Sequence, residues 1–331
     1  MKKQWRLILI CCLLLVVVVI VVENVIHRTA QVQQSKVPVA SETEDTLWHG
    51  RSEDQIPIKT DSGKLILYGY NLIANTSFYL GPKGTVAHIS NGMNCQNCHL
   101  KGGTLPYANN FGNVYSTYPQ FRARNDKVES IYDRINDCFE RSLNGKAMDT
   151  STKEMQAIYA YMKWLGQGVP KGFAEAGTGV MKLKYLDTAA NPLSGRAIYV
   201  AKCQTCHGKD GKGVLNDKAT GYIFPPLWGK HSYNDGAGLY RLGNFSSFIK
   251  NDMPFGTDYH KPLLSDKEAW DVAAFVNSQP RPHKNQSLDW KNISEKPFDF
   301  PFGPYIDSFT AKQHKYGPFK PTVEAIQNRH I

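Results

Sequence analysis

For a chain carrying a formal net charge of +10 over 331 residues, dense basic runs interleaved with aromatics are missing. Their absence argues against nucleic acid as a partner, since a nucleic-acid footprint is a concentrated basic face. Scattered Lys and Arg suit an anionic substrate or an acidic redox partner. The longest uncharged apolar run, Leu7–Val22, is also short. As a helix it spans about 24 Å, against roughly 30 Å of bilayer hydrocarbon. No small-x-small cleavage site follows it, because Glu23-Asn24-Val25-Ile26-His27-Arg28 intervenes. Lys2, Lys3 and Arg6 precede it, with Trp5 at the expected interface. Residues 1–28 are therefore expected to be an uncleaved signal or anchor, with residues 7–22 tethering an exported, periplasmic body to the inner membrane. Cys11 and Cys12 lack the small preceding residue of a lipobox and read as apolar helix residues.

An exported chain is free to form disulfides, but the other five cysteines are not arranged for them. Four fall in Cys95-Gln96-Asn97-Cys98-His99 and Cys203-Gln204-Thr205-Cys206-His207; Cys138 stands alone. In Cys-x-x-Cys-His the two thiols add to haem vinyl groups and the adjacent imidazole binds iron. A lone match could be chance, zinc or a redox dithiol. Two matches in similar frames predict two covalent haem c groups, on Cys95, Cys98, His99 and on Cys203, Cys206, His207.

Each motif lies between an early and a late helical pattern. Before the first, Leu65, Tyr68, Leu72 and Ile73 suggest a helix. After it come a helix near residues 128–143 and one over 152–165, with capping-box spacing at Ser151–Glu154 and a stop at Gly166. In the second unit Pro192 opens a helix leading to Cys203, and Ser265–Glu268 opens another that ends before Pro280. The expected organisation is mainly α: a spacer over 29–60, a cytochrome c domain over 61–170, a linker over 171–191, a second cytochrome c domain over 192–280, and an extended tail over 281–331.

The distal iron ligands are less constrained. In the second unit Met253 follows His207 and precedes Pro254, in a loop ahead of the terminal helix, where small cytochromes c present a thioether. His231 and His260 are rivals, and a core methionine is the plain alternative. The Pro225-Pro226 pair offers a carbonyl to orient His207. In the first unit no His follows His99 before its last helix ends. Met155 and Met162 are spaced as core residues, and spacing alone does not separate Cys138 from Met148. A buried inert thiol is the commonest fate of such a cysteine.

Three stretches narrow this further: Asn91–His99, Ser116–Arg124 and Arg134–Ser142. Together they closely resemble the dihaem, tetrathionate-forming thiosulfate dehydrogenases, relatives of the sulfur-oxidation dihaem cytochromes. The resemblance covers roughly residues 65–280. It implies His99 and Cys138 as axial ligands of a catalytic haem, and His207 with Met253 at a second haem that passes electrons to an external acceptor such as another cytochrome c. It also implies a substrate pocket lined by Arg124, Arg134 and Ser142. Some members place Lys immediately before the distal Met; here Asp252 stands there, with Lys250 nearby.

Two electrons are released when two thiosulfates join, which matches two one-electron haems. Arg suits the sulfonate oxygens of two mutually repelling dianions; the plain alternative is a solvated surface, where Arg122 and Arg141 pair with Glu129, Asp137 or Glu140. A thiolate lowers the potential of its iron and remains a nucleophile. The expectation is that Cys138 leaves the iron, takes one thiosulfate as a covalent adduct and yields it to the second. The competing readings are a plain dihaem electron carrier and the haem subunit of a thiosulfotransferase system.

Overall fold

The computed structural model describes residues 47–218 and 220–329. The anchor expected at residues 7–22 lies outside the described residues. Among the described residues, no helix is long and apolar enough to cross a membrane.

The first half contains helices α1 (Asp61–Ala74), α2 (Ile131–Asp137) and α3 (Lys153–Leu165). The second contains α4 (Pro192–Lys202), α5 (Leu242–Asp252) and α6 (Asp266–Ser278). Strands are few. Ribbon β1 (Gln120–Arg122) and β2 (Lys127–Glu129) is antiparallel, as is β3 (Val214–Leu215) with β4 (Tyr222–Phe224).

In each half the first helix crosses the last, α1 on α3 and α4 on α6. A glycine sits at each crossing. A Cβ at Gly69 would stand 2.0 Å from the Ala157 carbonyl oxygen, and one at Gly195 would stand 1.9 Å from that of Asp271. The helix backbones touch there, so any side chain would force them apart. Leu72, Ile73, Met155, Ile158 and Leu165 fill the first core; Tyr199, Leu242, Leu264, Trp270 and Val272 fill the second. Truncating a residue as buried as Leu72 to Ala would cost about 2–5 kcal/mol. The sequence repeat is thus a repeated helix crossing around two cores.

Several local expectations shift. Ser265 and Glu268 form the expected capping box of α6. Helix α3 is instead capped by Thr152, which accepts from the Met155 amide. Ser151 is drawn back to Asp149, and Glu154 accepts the Tyr68 hydroxyl proton at 2.7 Å. The helix expected from residue 128 starts at Ile131, because Lys127–Glu129 pairs with β1 and Ser130 provides the cap.

The ends of the expected domains are also more involved than their composition suggests. Trp48 and Ile56, in the expected spacer, are buried in the first core. The expected linker has no regular element but is stitched to the first half: Ala176 accepts from the Trp48 amide, Gly177 from Tyr107 and Gly179 from Asn109. The tail contains α7 (Ala311–Tyr316) and α8 (Lys320–Arg329), and Phe319 completes the second core.

Candidate active site

A cavity of about 240 Å³ opens beside α1, α2 and α3, walled by Ile73, Ile135 and Ile158. Cys95, Cys98 and His99 line it, together with Cys138, Ser142, Arg122 and Arg134. His99 donates or shares its Nδ1 proton with the Asn109 carbonyl and stacks on Phe111 at 4.3 Å. That bond leaves Nε2 as the ring atom available to a ligand. Burial lowers the His99 pKa to about 4, against the Asn109 carbonyl and with a push from Arg134, so the ring is neutral at physiological pH. Asn109 is itself anchored, its amide donating to Gly179 at 2.8 Å.

Cys138 reaches the cavity through an unusual turn. After α2 the chain makes a single π turn over Cys138–Ser142, closed by the Leu143 amide on the Cys138 carbonyl at 2.9 Å. Such turns are rare and concentrate at functional sites. This one brings Cys138 and Ser142 to the same wall. Met148 is buried in the core, its backbone clasped on both sides by Asn136 at 2.8 and 3.0 Å, and does not line the cavity. Met162 does line it, from α3.

The four arginines of this region divide in two. Arg122 and Arg134 line the cavity and form no ion pair among the described residues. The Cys138 sulfur, as thiolate, is the largest influence raising Arg134 above the ordinary guanidinium value. Arg124, expected in the pocket, does not line it. Its guanidinium pairs with Asp137, which also faces Arg141 at 3.6 Å. Arg141 in turn donates to Asp289 at 2.9 Å. These four side chains are nearly closed to solvent, and breaking a buried pair by removing one member costs about 3–5 kcal/mol. Asp137 holds Arg124 because a buried carboxylate needs a cation.

In the second half His207 donates Nδ1–H to the Pro225 carbonyl at 2.9 Å, the contact anticipated from the Pro225-Pro226 pair. Cys203 caps the N-terminus of the short helix Gln204–His207, which contains Cys206 and His207. Met253 caps the C-terminus of α5 and packs against the second core, whereas His231 and His260 are exposed. Lys250 is held by the Leu264 carbonyl at 2.7 Å and by Asp266 at 2.8 Å.

The donor chemistry fits haem c in both halves: two thiols, then an imidazole whose Nδ1 is already spent, beside apolar walls. Comparison with known proteins agrees. Residues 85–170 match the family described as SoxA/TsdA, cytochrome c domain, and residues 190–276 match cytochrome C oxidase, cbb3-type, subunit III. The chain is 42% identical to a thiosulfate dehydrogenase of Allochromatium vinosum, over 66% of its own length and 79% of the relative's.

This chain belongs to the thiosulfate dehydrogenase family.

A thiosulfate dehydrogenase of Psychrobacter arcticus is also 42% identical, over 62% of each chain. A solved thiosulfate dehydrogenase structure from Marichromatium purpuratum, TsdBA, aligns with TM-score 0.65 and 31% identity; it covers 72% of this chain and half of that one. The match thus spans less than two thirds of the Psychrobacter relative and of the Marichromatium chain. The two cytochrome c domains carry two covalently bound haem c groups, and domains of this kind are extracytoplasmic.

Sequence reasoning allowed Arg141 to pair with Asp137 and left Arg122 as a surface residue; it missed Asp289 and Asn109. The spacing of Asp137 and Arg141 around Cys138 suits an i,i+4 pair, but nothing in the tail's pattern pointed to Asp289.

Proposed function

We propose that the protein oxidises two thiosulfate ions to tetrathionate. The observation that carries the reading is a cavity wall shared by Cys138, His99 and Arg134; the names of the relatives supply the substrate. In this reading His99 and Cys138 would hold the iron of the first haem, and His207 and Met253 that of the second. When bound, the haems supply one-electron acceptors and an outlet from the first to the second and on to an external acceptor such as another cytochrome c.

The chain's own residues set up the sulfur chemistry. Unit charges 4 Å apart repel by about 4 kcal/mol at a near-surface dielectric, and two dianions repel more. Arg122 and Arg134 offset this with fixed charge, and the Ser142 hydroxyl offers a donor to a sulfonate oxygen. The Cys138 thiolate bonds to the terminal sulfur of one thiosulfate as two electrons leave, giving a cysteine S-thiosulfonate. A second thiosulfate attacks the sulfane sulfur bonded to Cys138 Sγ, breaking that S–S bond, forming tetrathionate and regenerating the thiolate. Charge balances in both steps, and the same site permits tetrathionate reduction. Arg124 acts in this scheme by holding Asp137.

Full-length holoprotein supplied with thiosulfate and an artificial electron acceptor is expected to reduce the acceptor and form tetrathionate. No acceptor reduction, with cysteine ligation at the first haem visible by electron paramagnetic resonance, would favour the thiosulfotransferase subunit. A different sixth ligand would reduce the protein to an electron carrier. Cys138→Gly should keep both haems and lose turnover; full turnover would eliminate the covalent route. Residues 7–22 are proposed to tether the periplasmic body to the inner membrane. Release of the uncleaved chain by a high-salt wash would overturn that tether.

A further inference from the structure

The tail beyond α6 lies outside both matched families, yet it reaches the turn that carries Cys138. From residue 280 it is first fastened to the second half. Pro280 accepts from the Gly229 amide and Pro282 from Asp235; the Asp235 carboxylate takes the Lys284 amide at 2.9 Å and His283 Nδ1 at 2.7 Å. It then crosses to the first half. The Trp290 amide donates to the Arg124 carbonyl at 2.8 Å, and Asp289 accepts from Arg141.

Arg141 is 6% exposed and belongs to the π turn itself. Its Nη1 donates to the Gly236 carbonyl at 3.4 Å, and its own carbonyl accepts from the Asn234 amide at 3.1 Å. An alternating series of charges, Asp289, Arg141, Asp137, Arg124, therefore runs from the tail past both sides of Cys138. Three of its buried polar atoms, Asp289 Oδ2 and the Nε atoms of Arg124 and Arg141, lack hydrogen bonds among the described residues, so no spare bond stands in for a lost one at those atoms. With so little redundancy, loss of one charge must be answered by movement of the others.

We propose that Asp289 is a positioning residue for Cys138: through Arg141 and Asp137 the tail sets where the cysteine sulfur stands in the cavity, and so tunes the first haem but not the second. The proposal rests on the assignment of Cys138 as a ligand of the first haem. Residues that orient a metal ligand from behind typically cost 10–100-fold in activity when lost.

The test compares Asp289→Asn, Asp289→Glu and Lys291→Ala in full-length holoprotein. Lys291 pairs with Asp126 at 3.7 Å on the surface and tethers the same tail without touching the π turn. Haem content and melting temperature check folding; the paramagnetic resonance signals and reduction potentials of the two haems are read separately, beside thiosulfate turnover. Asp289→Asn is expected to shift the first haem's signal and potential, leave the second haem's alone, and lower turnover by roughly 10–100-fold. Asp289→Glu, which keeps the charge but moves it, should shift the first haem alone by less than Asp289→Asn and keep turnover within a few-fold of the parent, and Lys291→Ala should match the parent. Unchanged first-haem spectra in Asp289→Asn, or an equal shift in Lys291→Ala, would overturn the proposal. If Asp289→Asn fails to fold, Asp289→Glu, which retains charge but moves it, must still shift the first haem alone. The spectral readout stands even if the parent has no activity with thiosulfate, so a failure of the substrate assignment is distinguishable.

Discussion

The two halves share a helix crossing and a proximal histidine held by a backbone carbonyl, and they differ in what surrounds the other side of the cavity. The second half ends α5 on Met253 and surrounds it with ordinary core. The first replaces that arrangement with a π turn, a two-stranded ribbon, two unpaired arginines and a buried chain of ion pairs supplied partly by the tail. The shared parts are what a haem needs to be held. The added parts concentrate charge and a nucleophile, which a carrier does not need. In the proposed function, chemistry and relay would be divided between two copies of one scaffold, by changes in one loop-rich wall.

The strongest way to break this division is to give the first half the second half's side chain. Cys138→Met should retain both haems, raise the first reduction potential and lower turnover by about 10³-fold or more, as loss of a nucleophile does. Spectroelectrochemistry and tetrathionate assay read the two effects. Substantial turnover in this variant would mean that the cavity's charges, rather than its sulfur, distinguish the halves.

The next effect separates those charges. Arg134→Met should lower kcat/KM by about 100-fold, roughly 2.7 kcal/mol, and Arg134→Lys by about tenfold, because a point charge replaces a planar fork. Arg196→Met, on the exposed face of α4, should change neither parameter. Equal losses at both positions would show a general field acting on the substrate in place of a site.

How far each half could be read in advance follows the same boundary. The early and late helices were legible because residues such as Leu65, Tyr68, Leu72 and Ile73 recur at helical spacing, and the attachment motifs because their chemistry is local in sequence. The Pro225 contact was legible for the same reason. Cys138 could not be separated from Met148 by spacing, because what distinguishes them is a π turn that shows no periodicity of its own. The pairing of Arg124 with Asp137 was not legible because it is recruited by burial, a property of the folded wall. Asp289, Trp48 and Phe319 were invisible because they join the body from segments whose composition resembles linker; their contacts are long-range and leave no pattern nearby.

A smaller contrast concerns buried carboxylates. Asp137 has arginines to face, whereas Asp252 is 6% exposed with Oδ2 unpartnered, and burial, with help from Asp258, pushes its pKa up to about 8. The folded form holds that proton where the unfolded chain, near 3.8, has released it. The stability Asp252 permits is therefore full below about pH 4 and lost as pH rises through about 8, at ~1.4 kcal/mol for each unit of separation. Asp252→Asn should flatten the fall in melting temperature of the holoprotein between pH 5 and 8. An unchanged slope would indicate that the carboxyl finds a partner when the second haem is bound.

The smallest effect compares two serine caps. Ser130 caps α2 and Ser265 caps α6, each in a reciprocal box with Asp133 or Glu268, and replacing either by Ala should cost about 1 kcal/mol. The losses are similar in size but not in consequence. Helix α6 carries no proposed iron ligand, so Ser265→Ala should lower the melting temperature and leave both haem spectra unchanged. Helix α2 leads straight into the turn bearing Cys138, so Ser130→Ala should also broaden or shift the first haem's signal. Burial would raise Asp133, but bonds from Lys127 and Ser130 bring it to about 2; its support is present above pH 3.8 and fades as pH falls towards 2. Acidification over that window should reproduce the Ser130→Ala signature in the parent and add less in the variant, which keeps only the bonds from Lys127 and the residue 130 backbone amide to Asp133.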